Sequence, residues 1–275
     1  MRHLTRFAAA ALAVLALAVQ SPAQAGEDRG HIIVQSTTST EASGLFDHIL
    51  PRFESMTGID VRVVAVGTGQ AIENARNGDG DVLLVHHTPG ELKFVADGYG
   101  VRRFGLMYNQ FVIVGPKADP AGVNGMSNAA KALSKIAESG AAFASRGDDS
   151  GTHRAELALW DATDIDVESA GSWYRETGAG MGETLNTAVQ MGAYTLTDSG
   201  TWLNFENKGD YTIHVKGDTR QQNQYGVMVV NPDKHDHVKV QKAQAFVDWL
   251  VSAPGQRAIA SYTIDGQQAF TPNAR

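Results

Sequence analysis

Apolar positions along this chain switch repeatedly between a spacing of two and a spacing of three to four residues, the marks of strands and amphipathic helices. Residues 31–35 are β-rich and run into the hydroxyl loop Ser36-Thr37-Thr38-Ser39. A helical pattern follows over about 43–56, with Gly58 placed to stop it. Residues 60–66 alternate as a strand, and Gly67-Thr68-Gly69 opens a short helix that ends near Asn77-Gly78. A buried strand is predicted over 81–85 and a helix over 89–96. This β-α-β-α-β order implies a parallel sheet with helices on its faces.

The apolar run 111–114, ended by Gly115-Pro116, starts a second cycle. It contains helices at 128–139, 152–160 and 182–191, a strand before Arg146, and strands at 193–196 and 211–215. A β-rich run at 225–230 and an amphipathic helix at 238–251 follow, and Pro254 opens a further short helix. The simplest architecture is α/β, with two lobes joined by crossing strands at 107–114 and 224–230. Lobe I would be 26–110 with 223–275, and lobe II 111–222. A ligand would lie in the cleft, at the carboxyl ends of the strands. The pattern alone also allows a single α/β domain.

The densest chemistry is Ser145-Arg146-Gly147-Asp148-Asp149-Ser150-Gly151-Thr152, where a strand hands over to a helix. Unpaired amides and the helix dipole favour an anion there. Arg146 can offer two parallel N–H bonds to an oxyanion, and Asp148 is placed to orient the guanidinium. Ser150 and Thr152 add hydroxyls, and Gly151 lets the backbone approach closely. Plain N-capping would account for Asp and Ser at these positions, but not for the Arg. The loops at 36–39 and 67–69 repeat the same hydroxyl-and-glycine chemistry after a strand, which points to one oxyanion held by converging donors. Gly67-Thr68-Gly69 lacks both the third glycine of a dinucleotide fingerprint and the lysine of a P-loop. Other motifs carry less. Ser150 and His153 could form a hydrolase pair, although the order is G-x-x-S-G and not that of a nucleophile elbow. His86-His87 and His235-Asp236-His237 lack a third metal ligand at recognisable spacing, and the second reads as a solvated loop. Met181, Met191 and Met228 read as core filling.

Composition narrows the setting. Arg2, His3 and Arg6 precede an apolar stretch at 7–19, and Ala23-Gln24-Ala25 fits a small-x-small cleavage site. Residues 1–25 are read as a signal peptide, cleaved near Ala25, and the mature protein as periplasmic, soluble and monomeric. No cysteine is present, which excludes disulfides, thiol catalysis and a lipid-anchor acceptor. Losing Arg2 and Arg6 leaves 21 of the 23 Lys and Arg against 30 Asp and Glu, a net charge of about −9. That balance excludes nucleic acid as a partner and leaves an anion to be caught by local dipoles and one well-placed cation.

Taken together, several segments resemble the tungstate-binding proteins of ABC-type uptake systems, within the type II periplasmic binding-protein superfamily. They are 36–40, Val66-Gly67-Thr68-Gly69-Gln70-Ala71, Asp81-Val82-Leu83-Leu84-Val85-His86, 107–116, 145–153 and Tyr194-Thr195-Leu196-Thr197-Asp198. The resemblance spans essentially the whole mature chain. It implies two lobes closing on a single oxyanion, no cofactor and no catalysis, and a permease at the membrane as partner. By that similarity Thr37, Thr38, Ser39, Thr68, Arg146, Ser150 and Thr152 line the site. Gly69 and Gly151 contribute backbone, and Asp148 and Thr197 support it. Similar proteins often carry a basic residue after the Asp at 198, where this chain has Ser199. Phosphate-binding proteins share an Arg-x-Asp-x-Ser-Gly-Thr pattern and are the nearest rival. Phosphate keeps a proton near neutral pH and benefits from a carboxylate acceptor, whereas tungstate and molybdate are repelled by one. Phosphate binders place that acid in the loop after the third strand, which here reads His86-His87-Thr88-Pro89.

Overall fold

The computed structural model describes residues 30–274, so the signal peptide expected at 1–25 lies outside the described residues. The first cycle comprises β1 (His31–Thr37), α1 (Thr38–Ala42), α2 (Leu45–Thr57), β2 (Asp60–Val66), α3 (Thr68–Asn77), β3 (Val82–Val85) and α4 (Thr88–Ala96). β1 lies between β2 and β3 and is parallel to both, with Ile32 opposite Val61 and Val34 opposite Val82. The helix expected at 43–56 is α2, and an additional short helix, α1, precedes it from Thr38, where the sequence suggested a hydroxyl loop. The Thr37 hydroxyl accepts the Thr40 N–H and so starts α1 directly from the strand. Gly44, at φ 76°, then turns the chain into α2, a conformation that favours glycine.

β4 (Phe104–Pro116) runs through both lobes. The second cycle follows as α5 (Ala129–Ser139), β5 (Phe143–Ser145), α6 (Gly151–Trp160), β6 (Tyr174–Glu176), α7 (Met181–Met191), β7 (Thr195–Asp198), α8 (Ser199–Asn204) and β8 (Tyr211–Val215). β9 (Gln222–Val229) returns antiparallel along β4, from Gln110 opposite Gln222 to Phe104 opposite Val227, and pairs with β3 on its other edge. Beyond Gln110, β4 pairs instead with β7 and β8, so one eight-stranded sheet threads the molecule. α9 (Val240–Val251), α10 (Ala253–Ala260), the short pair β10 (Thr263–Ile264) and β11 (Gln267–Gln268), and β12 (Thr271–Pro272), which pairs with β4, complete the first lobe. Three strands start away from their expected positions, the first being β4, which begins at Phe104 rather than at 107. β7 lies two residues later than the pattern at 193–196, and β9 begins at Gln222, because the polar run Gln222-Asn223-Gln224 carries no hydrophobic signal.

Each lobe buries its own apolar faces. Ile32, Val34, Phe53 and Phe246 fill one side of the first lobe, and Ala71, Leu83, Phe94 and Met228 the other. In the second lobe, Ile113 joins Leu133, Phe143 and Trp160, while Val112 and Val114 join Met181 and Trp202 on the opposite face, the period of two expected of a strand buried on both sides. Among the described residues no helix is long and apolar enough to cross a membrane.

Candidate oxyanion site

Four helices begin where strands of the two lobes end: α1 after β1, α3 after β2, α6 after β5 and α8 after β7. Their N-termini meet between the lobes. The Gly151 N–H of α6 donates to Thr68 Oγ1 of α3 at 2.8 Å, and Thr201 Oγ1 of α8 lies 3.1 Å from the Ser39 carbonyl of α1. Asn204 Nδ2 reaches the Ala42 carbonyl at 2.9 Å, so α8 holds α1 along its length. The positive ends of helix dipoles thus gather in one place, favouring negative charge, although several of the first N–H groups are already taken by side-chain oxygens.

Arg146 supplies the cation. Its side chain is 2% exposed, it is paired to the Asp148 carboxylate, and its Nη2 lies 3.4 Å from Thr38 Oγ1 across the cleft. Asp148 also accepts the Ser150 N–H at 3.2 Å, which ties the guanidinium to the start of α6. Arg146 Nε and Thr152 Oγ1 are buried and make no hydrogen bond within the protein. Buried donors without partners are costly, which makes these two candidate donors to a ligand oxygen. Two carboxylates lie close by, and both are covered. Asp148 is taken by Arg146, and Asp198 accepts Thr201 N at 2.9 Å, Thr201 Oγ1 at 2.6 Å and Asn109 Nδ2 at 2.9 Å.

The remaining sequence-predicted positions divide. Thr37 Oγ1 is occupied within its own helix start, 2.7 Å from Thr40 Oγ1 and 3.1 Å from Ser39 Oγ. Ser39 is fully buried with its hydroxyl 2.9 Å from His86 Nε2. Ser150 caps α6 through the His153 N–H at 3.2 Å. Gly69 sits at the cleft mouth, where a Cβ would come within 3.3 Å of Asp149 and 3.5 Å of Arg154. Thr197 is buried in β7, its hydroxyl 3.3 Å from the Asp198 carbonyl. Ser199 Oγ lies 3.4 Å from the Gln110 amide nitrogen, on the crossing strand. The hydrolase pair is not assembled, because Ser150 meets the His153 backbone while the His153 ring accepts the Asp149 N–H through Nδ1. His235 and His237 are not a purely solvated loop either, since their rings reach the carbonyls of Arg76 and Gly78 at the end of α3. No group of three His, Cys, Asp or Glu that could hold a metal is found among the described residues.

Sequence reasoning missed the polar lining of the hinge. His86 is buried, bonded on both ring nitrogens, and its pKa is lowered to about 4, by burial first and by neighbouring Arg146 second. Asn109 of β4 and Asn223 of β9 face each other, with Asn223 Nδ2 donating to Asn109 Oδ1 at 2.8 Å. A partial signal was available: His86 follows the apolar strand β3 and Asn109 interrupts β4, whereas Asn223 sits in the polar run 222–224 and stands out from nothing.

The chain matches the family described as PBP superfamily domain over residues 20–254. It is 46% identical over 250 residues to the tungstate-binding protein TupA of Peptoclostridium acidaminophilum, covering 90% of this chain and 87% of that protein. The chain belongs to the periplasmic-binding-protein superfamily, in its TupA family. Solved TupA-family structures agree in fold. The tungstate-binding protein TupA from Desulfovibrio alaskensis G20 is 44% identical with a TM-score of 0.77, covering 90% of this chain and 100% of its own. The tungstate ABC transporter structure from Geobacter sulfurreducens is 46% identical with a TM-score of 0.78, covering 84% and 98%. These TupA-family relatives are named for binding and transport, not for an enzymatic reaction.

Proposed function

We propose that this protein captures tungstate, or the similarly sized and equally charged molybdate, and hands it to an ABC-type permease. It would do so as a periplasmic monomer, freed of residues 1–25, whose lobes (26–110 with 223–275, and 111–222) close over the anion. No cofactor takes part. The observation that carries this reading is the pair of orphaned buried donors, Arg146 Nε and Thr152 Oγ1, amid four helix N-termini where both neighbouring carboxylates are already covered. A fully deprotonated dianion needs donors and tolerates no facing lone pair, which favours tungstate over phosphate. Kinship with proteins named for tungstate supports the same choice. Nanomolar affinity needs about −12 kcal/mol, which at ~1.5–3 kcal/mol net per charge-assisted hydrogen bond takes roughly four to eight of them, so the two orphaned donors must be joined by further hydroxyls and backbone amides.

Thermal melting against a panel of oxyanions tests it. Tungstate at ~100 times its dissociation constant adds ~2.7 kcal/mol, and each kcal/mol raises Tm by roughly 2–4 °C in a chain of this size. Arg146→Ala should abolish that rise while the protein still melts cooperatively. A larger rise with phosphate would move the assignment to phosphate, and a rise that survives Arg146→Ala would remove Arg146 from the site.

A further inference from the structure

We propose that His86 is a positioning residue of this site: a relay of buried side chains across the hinge fixes its ring so that the Ser39 hydroxyl donates inward to it and not to the ligand. The inference rests on the oxyanion reading above. The relay starts at Asp198 Oδ1, which accepts the Thr201 N–H at 2.9 Å. Asn109, 2.9 Å away, must turn its Nδ2 toward that oxygen. Its Oδ1 then receives Asn223 Nδ2 at 2.8 Å, which leaves Asn223 Oδ1 facing His86 Nδ1 at 3.0 Å. An oxygen can only accept, so Nδ1 carries the ring proton. His86 Nε2, 2.9 Å from Ser39 Oγ, is left as an acceptor, and the hydrogen between them must come from Ser39.

The ring has no room to choose otherwise. It is held at both nitrogens, and a Cβ on Gly151 would stand only 2.9 Å from its Cε1. Turning the Ser39 proton outward would strand a buried acceptor, a loss of roughly ten- to hundredfold in binding. The wall formed by Ser39 and His86 is therefore uncharged, and it holds the N-terminus of α1 in place with its hydroxyl already spent. Ligand oxygens are met instead by Arg146, Thr38, Thr152 and backbone amides. Because the relay passes through β4 and β9, it ties α8 of one lobe to α1 of the other at the point where the chain crosses between them.

Long-range proton–nitrogen spectra of the histidine rings in the ¹⁵N-labelled protein test this, with His86 assigned through His86→Gln. The expected wild-type pattern is a pyrrole-like Nδ1 and a pyridine-like Nε2, with or without tungstate. Asn223→Ala removes the Nδ1 acceptor and should draw the two nitrogens toward averaged shifts. In calorimetry, Ser39→Ala should weaken tungstate binding in the wild-type background and add nothing to His86→Gln. A pyrrole-like Nε2 in the wild type, or a Ser39→Ala loss of the same fold in both backgrounds, overturns the relay. A wild type that binds no tungstate overturns the ligand assignment, and the ring spectra still decide the relay.

Discussion

Gly151→Ala separates closure from folding. Gly151 opens α6 in the second lobe, and an alanine Cβ there would stand 2.9 Å from His86 Cε1, 3.0 Å from His86 Nδ1 and 3.1 Å from Thr68 Oγ1, all atoms of the first lobe. None can yield cheaply. His86 is bonded at both nitrogens, and Thr68 is fully buried and accepts the Gly151 N–H. Within α6 the same substitution is benign, because the backbone is helical and alanine is the best helix former. The clash therefore falls on the closed arrangement alone. Overpacking by one methyl group costs ~1–3 kcal/mol, which weakens tungstate roughly 5- to 150-fold. Calorimetry gives the dissociation constant, melting without ligand reports the fold, and solution scattering with saturating tungstate reports whether the variant stays more open than wild type. An unchanged dissociation constant with an unchanged scattering profile would falsify the close approach of α6 to His86.

Two further outcomes are expected. Burial pushes the Glu156 carboxyl up to about 7, against hydrogen bonds from Tyr174, Trp160 and the backbone that oppose the shift. The folded chain then holds a proton that the unfolded chain has released, so this contribution is full below the ordinary value of 4.5 and is lost as pH rises through 7. His86, lowered to about 4 from 6.5, acts with the opposite sign, so the comparison must be made against Glu156→Gln: its Tm should fall less than wild type's from about pH 5 to about pH 7.5, and parallel curves refute the assignment. At the cleft mouth, Arg154 Nη1 meets His87 Nδ1 at 3.1 Å while its other nitrogens grip Asp149 at 2.6 and 2.8 Å. Arg154→Ala should raise the tungstate off-rate by roughly 1.5- to 5-fold, the worth of a part-exposed contact of ~0.2–1 kcal/mol; stopped-flow release at the wild-type rate would show that the contact contributes nothing to closure.

Local chemistry by itself determined a good deal about this protein. Spacing of apolar residues marked most strands and helices, because burying one face of an element imposes its period on the residues. Hydroxyl and glycine residues after β1, β2 and β5, with Arg146 among them, marked an anion site, because a helix N-terminus needs donors' partners wherever it occurs. Only the tertiary structure decided what each hydroxyl does. Thr37 and Ser150 cap their own helices, Ser39 turns to His86, and Thr152 is left without a partner inside the protein. The hinge relay was equally out of reach, since Asn109 and Asn223 are 114 residues apart and meet only through the antiparallel register of β4 with β9. A hydrogen bond is settled by direction over a few tenths of an ångström, and direction comes from packing between distant segments, which no spacing along the chain records.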